Sequence, residues 1–268
     1  MADIYAVNSN NIVGGPGRLV VKNWDGIYPE SIADVMSLTD PFTLMGGWRD
    51  LGATTEGITI ARGFETEDFV VDQVSGPVET SITGWTHSLA TNLAENTPEN
   101  RKLALAGGTI IETAPVLGTS TTTTGVTAAG GTILNVTDAT GFTVGNYLQV
   151  SGETYRIAAI NGSAITLEFP VPTEVVASTA VSPVTELGTR RIGYGTVDDI
   201  AFNTYALISQ KKDGSLYMAV FRKCKITGDD KEQVFGAEKR VLPLGLAAFP
   251  DGSSSKDENV YYEIEQIV

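Results

Sequence analysis

Basic residues are missing from one long stretch of this 268-residue chain. Between Arg62 and Arg101 there is no lysine or arginine, while Glu65, Glu67, Asp68, Asp72, Glu79, Glu95 and Glu99 all fall there. Carboxylates on neighbouring strands repel one another and ordinary surfaces mix both signs. A face of one sign therefore points to a field used against a charged partner; the plainer reading is a solvated acidic surface. Histidine and cysteine are scarce as well, one of each, His87 and Cys224. A lone cysteine excludes an intramolecular disulfide and a thiol metal cluster, and one of each is too few for a His/Cys metal site. Cys224 stands inside an apolar strand pattern, as a buried structural thiol does. No apolar run approaches the ~20 residues of a membrane helix. Met1 to Asn11 has neither a basic n-region nor an apolar h-region, so the expectation is a protein made and kept in the cytoplasm.

What is present describes a soluble globular protein of one or two domains, with 42% hydrophobic residues, a real core and a net charge of −14. The acidity is uneven: residues 1–114 hold 15 acids and 6 bases, 115–186 hold 5 and 1, and 187–268 hold 12 and 11. Tight nucleic-acid binding needs clustered Lys and Arg, which this balance argues against. Repelling nucleic acid stays open.

Enzyme chemistry is hard to build from this inventory. His87 falls on the same strand face as Trp85 and Leu89, where a packed imidazole is the ordinary outcome, and no nucleophile-elbow pattern accompanies it. Glu65 with Glu67 is a conceivable carboxylate pair for glycoside cleavage, but acids on exposed strands are far commoner than dyads. Gly14-Gly15-Pro16-Gly17-Arg18 lacks the lysine and following helix of a phosphate loop. Asp198-Asp199 and Asp229-Asp230 lack the ligand spacing of a calcium loop and read as solvated turns. No catalytic residue, cofactor or metal is expected.

Apolar residues alternate along the chain between frequent Gly, Thr and Asp, which predicts an all-β fold. Strands are expected over 18–23 and 57–61, with an irregular stretch between them to Pro41, then over 64–74 and 78–94 as a long hairpin joined at Ser75-Gly76-Pro77. In its second strand the apolar set runs Val78, Ile82, then Trp85, Leu89, Leu93; the phase changes beside Gly84, which predicts a bulge there. Thr97-Pro98-Glu99 is a helix start, with Thr as N-cap, Pro at the first helical position and Glu in the first turn. A short helix over 98–106 stopped by Gly107-Gly108 follows.

Residues 115–186 read differently. A Thr tract, 119–124, precedes Gly130-Gly131 and four short strands over 132–136, 147–150, 154–160 and 164–169, with Asn161-Gly162 as a hairpin signal between the last two. Pro170, Pro172 and Pro183 break up the way out. The segment is expected to be a small inserted β-domain in a discontinuous main domain of 1–114 and 187–268; the alternative is one large sandwich. Strands over 204–212 and 215–227 follow as a hairpin across Asp213-Gly214, with Leu216, Met218, Val220, Cys224 and Ile226 on one side and Tyr217, Ala219 and Phe221 on the other. Strands over 241–249 and 259–267 complete the pattern.

In order, these elements resemble a known family. Trp48-Arg49-Asp50-Leu51-Gly52 with Gly57, the acidic hairpin with Asp72-Gln73, Leu93-Ala94-Glu95-Asn96-Thr97-Pro98-Glu99-Asn100 leading to Leu103-Ala104-Leu105-Ala106-Gly107, and Met218-Ala219-Val220-Phe221-Arg222-Lys223 with Leu242-Pro243-Leu244 beyond look like the major tail tube protein of long-tailed, siphovirus-type bacteriophages. The likeness covers about 40–114 and 190–255, and 115–186 looks like an accessory β-domain carried by some tail proteins. The resemblance implies a tail-tube β-sandwich or barrel with one short flanking helix. Copies would form hexameric rings whose inner strands join into a barrel, and the rings would stack into a tube in the virion tail, assembled in the host cytoplasm. It implies as partners the chain itself and the tape measure, tail terminator and distal tail proteins, with DNA passing through without specific binding and no membrane involved. The tube of a contractile tail or of a phage-derived injection device shares this ring architecture.

A carboxylate-bearing lumen would repel DNA phosphates. Asp68, Asp72 and Glu79 with Thr86, Ser88 and Asn92 alternate against Phe69, Val71, Ile82, Trp85 and Leu89, and are the lumen-lining candidates; the same alternation also fits an outward face. Ring stacking is expected to use 23–45 and both termini. The rival from another class is a monomeric carbohydrate-binding or adhesive β-module, with Trp24, Tyr28, Tyr147 and Tyr155 as candidate aromatics.

Overall fold

The computed structural model describes residues 17–39, 42–196, 198–227 and 239–267, with Gly15 and Glu232 besides. Met1 to Asn11, Gly14, Pro16, Pro41, Asp229, Asp230 and the last residue, which the sequence reading touches, lie outside them. The fold is all-β, built of antiparallel sheets with a single α-helix among the described residues. In chain order the elements are β1 (Arg18–Asn23), β2 (Arg49–Asp50), β3 (Thr54–Val70), β4 (Pro77–Leu93), α1 (Pro98–Ala104) and β5 (Ile110–Thr113). Next come β6 (Val116–Leu117), β7 (Thr121–Thr122), β8 (Ile133–Asn135), β9 (Tyr147–Val150), β10 (Glu153–Asn161), β11 (Ala164–Leu167) and β12 (Ala180–Glu186). The chain closes with β13 (Thr189–Ile192), β14 (Asn203–Gln210), β15 (Leu216–Ile226), β16 (Leu242–Phe249) and β17 (Tyr261–Glu265). It divides into two compact units, Met1–Ile110 with Ile192–Val268 and Ile111–Arg191, a few residues wider at each end of the insert than the sequence reading has it. β5 and β13 form a two-stranded ribbon, with Glu112 and Arg190 paired at 2.7 Å.

The first unit carries one eight-stranded sheet in the order β2-β1-β14-β15-β16-β4-β3, with β17 added to β15. Asp50 at one end of that path and Thr54 at the other are linked by a chain that spans at most about 14 Å. The end strands of a flat sheet of this order would stand about 29 Å apart. The sheet is therefore rolled. Leu19, Leu51, Leu89, Leu93, Tyr205, Phe221 and Leu244 fill the concave side together with Ala104 of α1. The opposite side holds a second core, in which Val20, Ala206, Met218 and Val220 lie under Ile32, Val35, Met36 and Trp48.

The roll is secured where two of the sequence motifs meet. Asn100 is fully buried; its amide donates to the carbonyls of Leu51 (2.8 Å) and Glu95 (2.9 Å), and its carbonyl accepts from Arg49 (2.8 Å). Asp50 accepts from the Gly52 amide at 2.8 Å and pairs with Arg18 at 2.6 Å. Gly52 has φ +78, a backbone conformation that favours glycine, and a Cβ there would push the Glu95 carboxylate aside. Thr97 caps α1 by accepting from the Asn100 amide at 3.1 Å. The helix ends earlier than 106: Ala106, at φ +51, is the left-handed residue, and Gly107 donates back to the Lys102 carbonyl.

The second unit builds a closed barrel. Its pairing runs β12-β9-β10-β11-β8, β7 pairs with β12, and the bridge of Thr123 with Val136 joins β7 back to β8. The amides of Thr124 and Thr137 donate to Asn135 and Thr122 across that seam. Leu134, Leu148, Val150, Ile157, Ile165 and Val181 fill the interior, and β9 and β11 alternate half-exposed with buried residues throughout. The β10–β11 hairpin turns on Gly162 and Ser163, with only Gly162 at positive φ. β12 corrects the reading of Pro183 as a breaker: it sits within the strand opposite Leu148, and its carbonyl accepts from Gly118.

Candidate functional site

β3 and β4 are each 17 residues long and form one hairpin, bulged at Gly84 where Glu65 faces Gly84 and Thr66 faces Ile82. β3 is a single strand from Thr54, not two broken at Arg62-Gly63 as the sequence reading has it, and it kinks only at Glu56-Gly57, both at positive φ. β16 covers the outer edge of β4 as far as Ser88. Beyond that point, among the described residues, 62–70 and 77–87 pair only with each other. The free part of the hairpin extends about 30 Å.

Directly opposed residues share a face, so the register sorts the side chains. One face carries Arg62 with His87, Phe64 with Trp85, Thr66 with Ile82, and Asp68 with Thr80. Ring contacts agree: Phe64 and Trp85 lie 5.2 Å apart, His87 stacks on Trp85 at 6.2 Å and meets the edge of Tyr261 at 5.7 Å, and the Arg62 guanidinium sits 4.3 Å over Trp85. At its base this face runs into Ile60 and Leu89 of the core. The other face carries Glu65 with Gly84, Glu67 with Ser81, Phe69 with Glu79, Gly63 with Thr86, Ala61 with Ser88, and Thr55 with Asn92.

Glu79, Thr86, Ser88 and Asn92 of the lumen-lining candidates thus fall on one face. Asp68 does not: it is on the aromatic side, where its carboxylate accepts from the Thr80 hydroxyl at 2.6 Å. Asp72 lies in the turn between the strands, because β3 ends at Val70. Glu65 and Glu67 belong to the carboxylate face and are absent from that candidate set; their shared parity with Gly63, opposite Thr86, is the signal that finds them. Both are exposed on open strand, with none of the enclosure of a catalytic dyad.

His87 is half-buried, and that burial, helped by Arg62, holds its imidazole below the ordinary value. Cys224 is buried and its thiol is pushed up to about 12 by burial. It packs with Phe221 and Ala219, not with Val220, because a bulge sets Asn203 and Tyr205 against Cys224 and Phe221 and reverses the alternation. Asp199 is held below the usual carboxylate range by Lys225, 2.6 Å away. No group of three or more His, Cys, Asp or Glu side chains among the described residues is placed to hold a metal ion.

Trp24 donates to the Tyr28 hydroxyl at 2.8 Å, and Tyr28 donates to Asp251. Their ring faces carry cations already: Arg222 at 4.5 Å from Tyr28 and Lys223 at 4.5 Å from Trp24. Tyr147 and Tyr155 lie in the other unit, on β9 and β10. A cavity of about 600 Å³ in the first unit is lined by both signs of charge, among them Lys22, Arg49, Lys102, Glu99 and Asp199. No helix among the described residues is long and apolar enough to cross a membrane. No protein-family model matches the chain, and no curated protein matches it.

Proposed function

We propose that this chain is a structural virion protein, not an enzyme, whose copies form stacked hexameric rings making the tube of a phage tail, an acidic-lined conduit for DNA ejection. The observation that carries the reading is that, among the described residues, one hairpin has two open edges, β3 along its whole length and β4 over 77–87. In a rotationally symmetric ring the β3 edge of one copy meets the β4 edge of the next, and the two strands run antiparallel, as every pairing in this sheet does. Such head-to-tail contacts close into a ring and remove the edges. The number six and the stacking come from the family resemblance, as do the tape measure, terminator and distal tail partners.

Sorting of the faces supports the conduit. With Glu65, Glu67 and Glu79 turned to the bore and small or hydroxyl side chains at Ala61, Gly63, Thr86 and Ser88 below them, the wall offers a duplex no cation to hold its phosphates. The glycan-binding alternative draws less support, since the Trp24 and Tyr28 ring faces carry cations and the other two aromatics sit elsewhere. Electron microscopy of the purified chain at high concentration tests the proposal: rings or tubes are expected. A dispersed monomer that binds glycans in a screen favours the alternative.

A further inference from the structure

The aromatic face of the hairpin has no role in edge pairing or in the bore. Phe64 is 59% exposed, Trp85 48%, Ile82 53% and Val70 61%. These four residues hold on the order of 400 Å² of exposed apolar surface, about half of the ~800 Å² that one partner contributes to a standard interface. The surface is continuous with the core through Ile60 and Leu89, and its nearest cation, Arg62, sits over the Trp85 ring at 4.3 Å. A two-stranded hairpin this long, with no other described strand paired to it beyond Ser88, is marginal in water.

We infer that a second copy of this chain packs on the aromatic face around Phe64 and Trp85, leaving the carboxylate face as the free wall. The inference rests on the self-assembly reading and adds which face is buried. A second copy is the occupant because of where the open edges lie. Among the described strands the long open edges both belong to this hairpin, β3 and β4 over 77–87, while β15 is paired on both sides, so the edge that fits the open β3 edge is the β4 of another copy. Once that neighbour is paired, its body is the nearest mass to the outward face. The uncompensated carboxylates point the same way, since packing the opposite face would bury Glu65, Glu67 and Glu79.

Sedimentation velocity and hydroxyl-radical footprinting of the full chain test this together. The Phe64→Ser/Trp85→Ser variant is expected to need at least a tenfold higher concentration to assemble than wild type, while Glu65→Ser/Thr86→Ser on the opposite face assembles as wild type does. Footprinting needs no variant: the Phe64 and Trp85 rings are expected to be oxidised in dilute protein and protected in the assembled form. Assembled wild type with both rings still oxidised overturns the inference and leaves self-assembly standing. Wild type that stays monomeric at every concentration overturns the self-assembly reading instead, and this inference with it.

Discussion

The inserted unit and the β3–β4 hairpin are made of the same material, antiparallel strands rich in Thr, and they treat their edges in opposite ways. The inserted unit closes its sheet with one bridge between Thr123 and Val136. Among the described residues the hairpin runs far past the end of β16 and stays open on both sides. A chain that can seal a small barrel has the means to blunt an edge, so a 17-residue open strand in the same molecule reads as an interface kept for assembly.

The contrast breaks most severely where each unit's closure is removed. Leu148→Ala empties a fully buried position of the inserted barrel and is expected to cost that unit about 3 kcal/mol, lowering one calorimetric transition while the other stays in place. Asn100→Ala acts on the first unit. It strands the Leu51 and Glu95 carbonyls and takes one acceptor from Arg49, with an expected loss of about 2–3 kcal/mol, read as a fall in the other transition. If both substitutions lower both transitions equally, the units do not have separate cores in the energetic sense.

A milder perturbation separates the edge from the fold. Of two successive strand residues, one turns its N–H to β4 and the next turns it outward. Of Thr66→Pro and Glu67→Pro, one is expected to keep the monomer's melting temperature within a few degrees and to abolish assembly in sedimentation. The other destabilises the hairpin itself. If neither affects assembly, the β3 edge is not used.

Much of the fold was legible because period and turn chemistry agree. β9 and β11 alternate cleanly, and the phase change beside Gly84 marks a bulge that the register contains. The rest depends on pairing that no local pattern carries. β12 was hidden by Pro183, whose carbonyl accepts from Gly118 just beyond the short β6, so its nitrogen faces that edge and makes no bond with β9. Cys224 changes sides because of a bulge on β15 that no glycine announces. The candidate site was half legible: Thr86, Ser88 and Asn92 share a face by parity and Glu79 joins them through the bulge beside Gly84, whereas Asp68 has the parity of Phe64 and falls on the aromatic face, and Asp72 is placed by where the strand stops.

The smallest expected effect is on pH. His87 has its folded value lowered, first by burial and then by Arg62, so the unfolded chain takes up the proton first as pH falls. The contribution of the neutral imidazole is present above about pH 6.5 and is lost on acidification below it. Tyr261, Trp85 and Arg62 are the groups that face it. Thermal melts of wild type and His87→Gln between about pH 8 and about pH 5 are expected to diverge only in the acid half. Parallel curves would remove His87 from the account.

Hydrogen exchange of the β3 and β10 amides, followed by mass spectrometry in dilute and in concentrated protein, measures the open edge directly. The prediction is that peptides from 62–70 exchange fast when dilute and become protected as copies assemble, while β10, sealed within its own barrel, is protected in both. Equal exchange of 62–70 in dilute and assembled protein would contradict the claim that neighbouring copies complete this sheet.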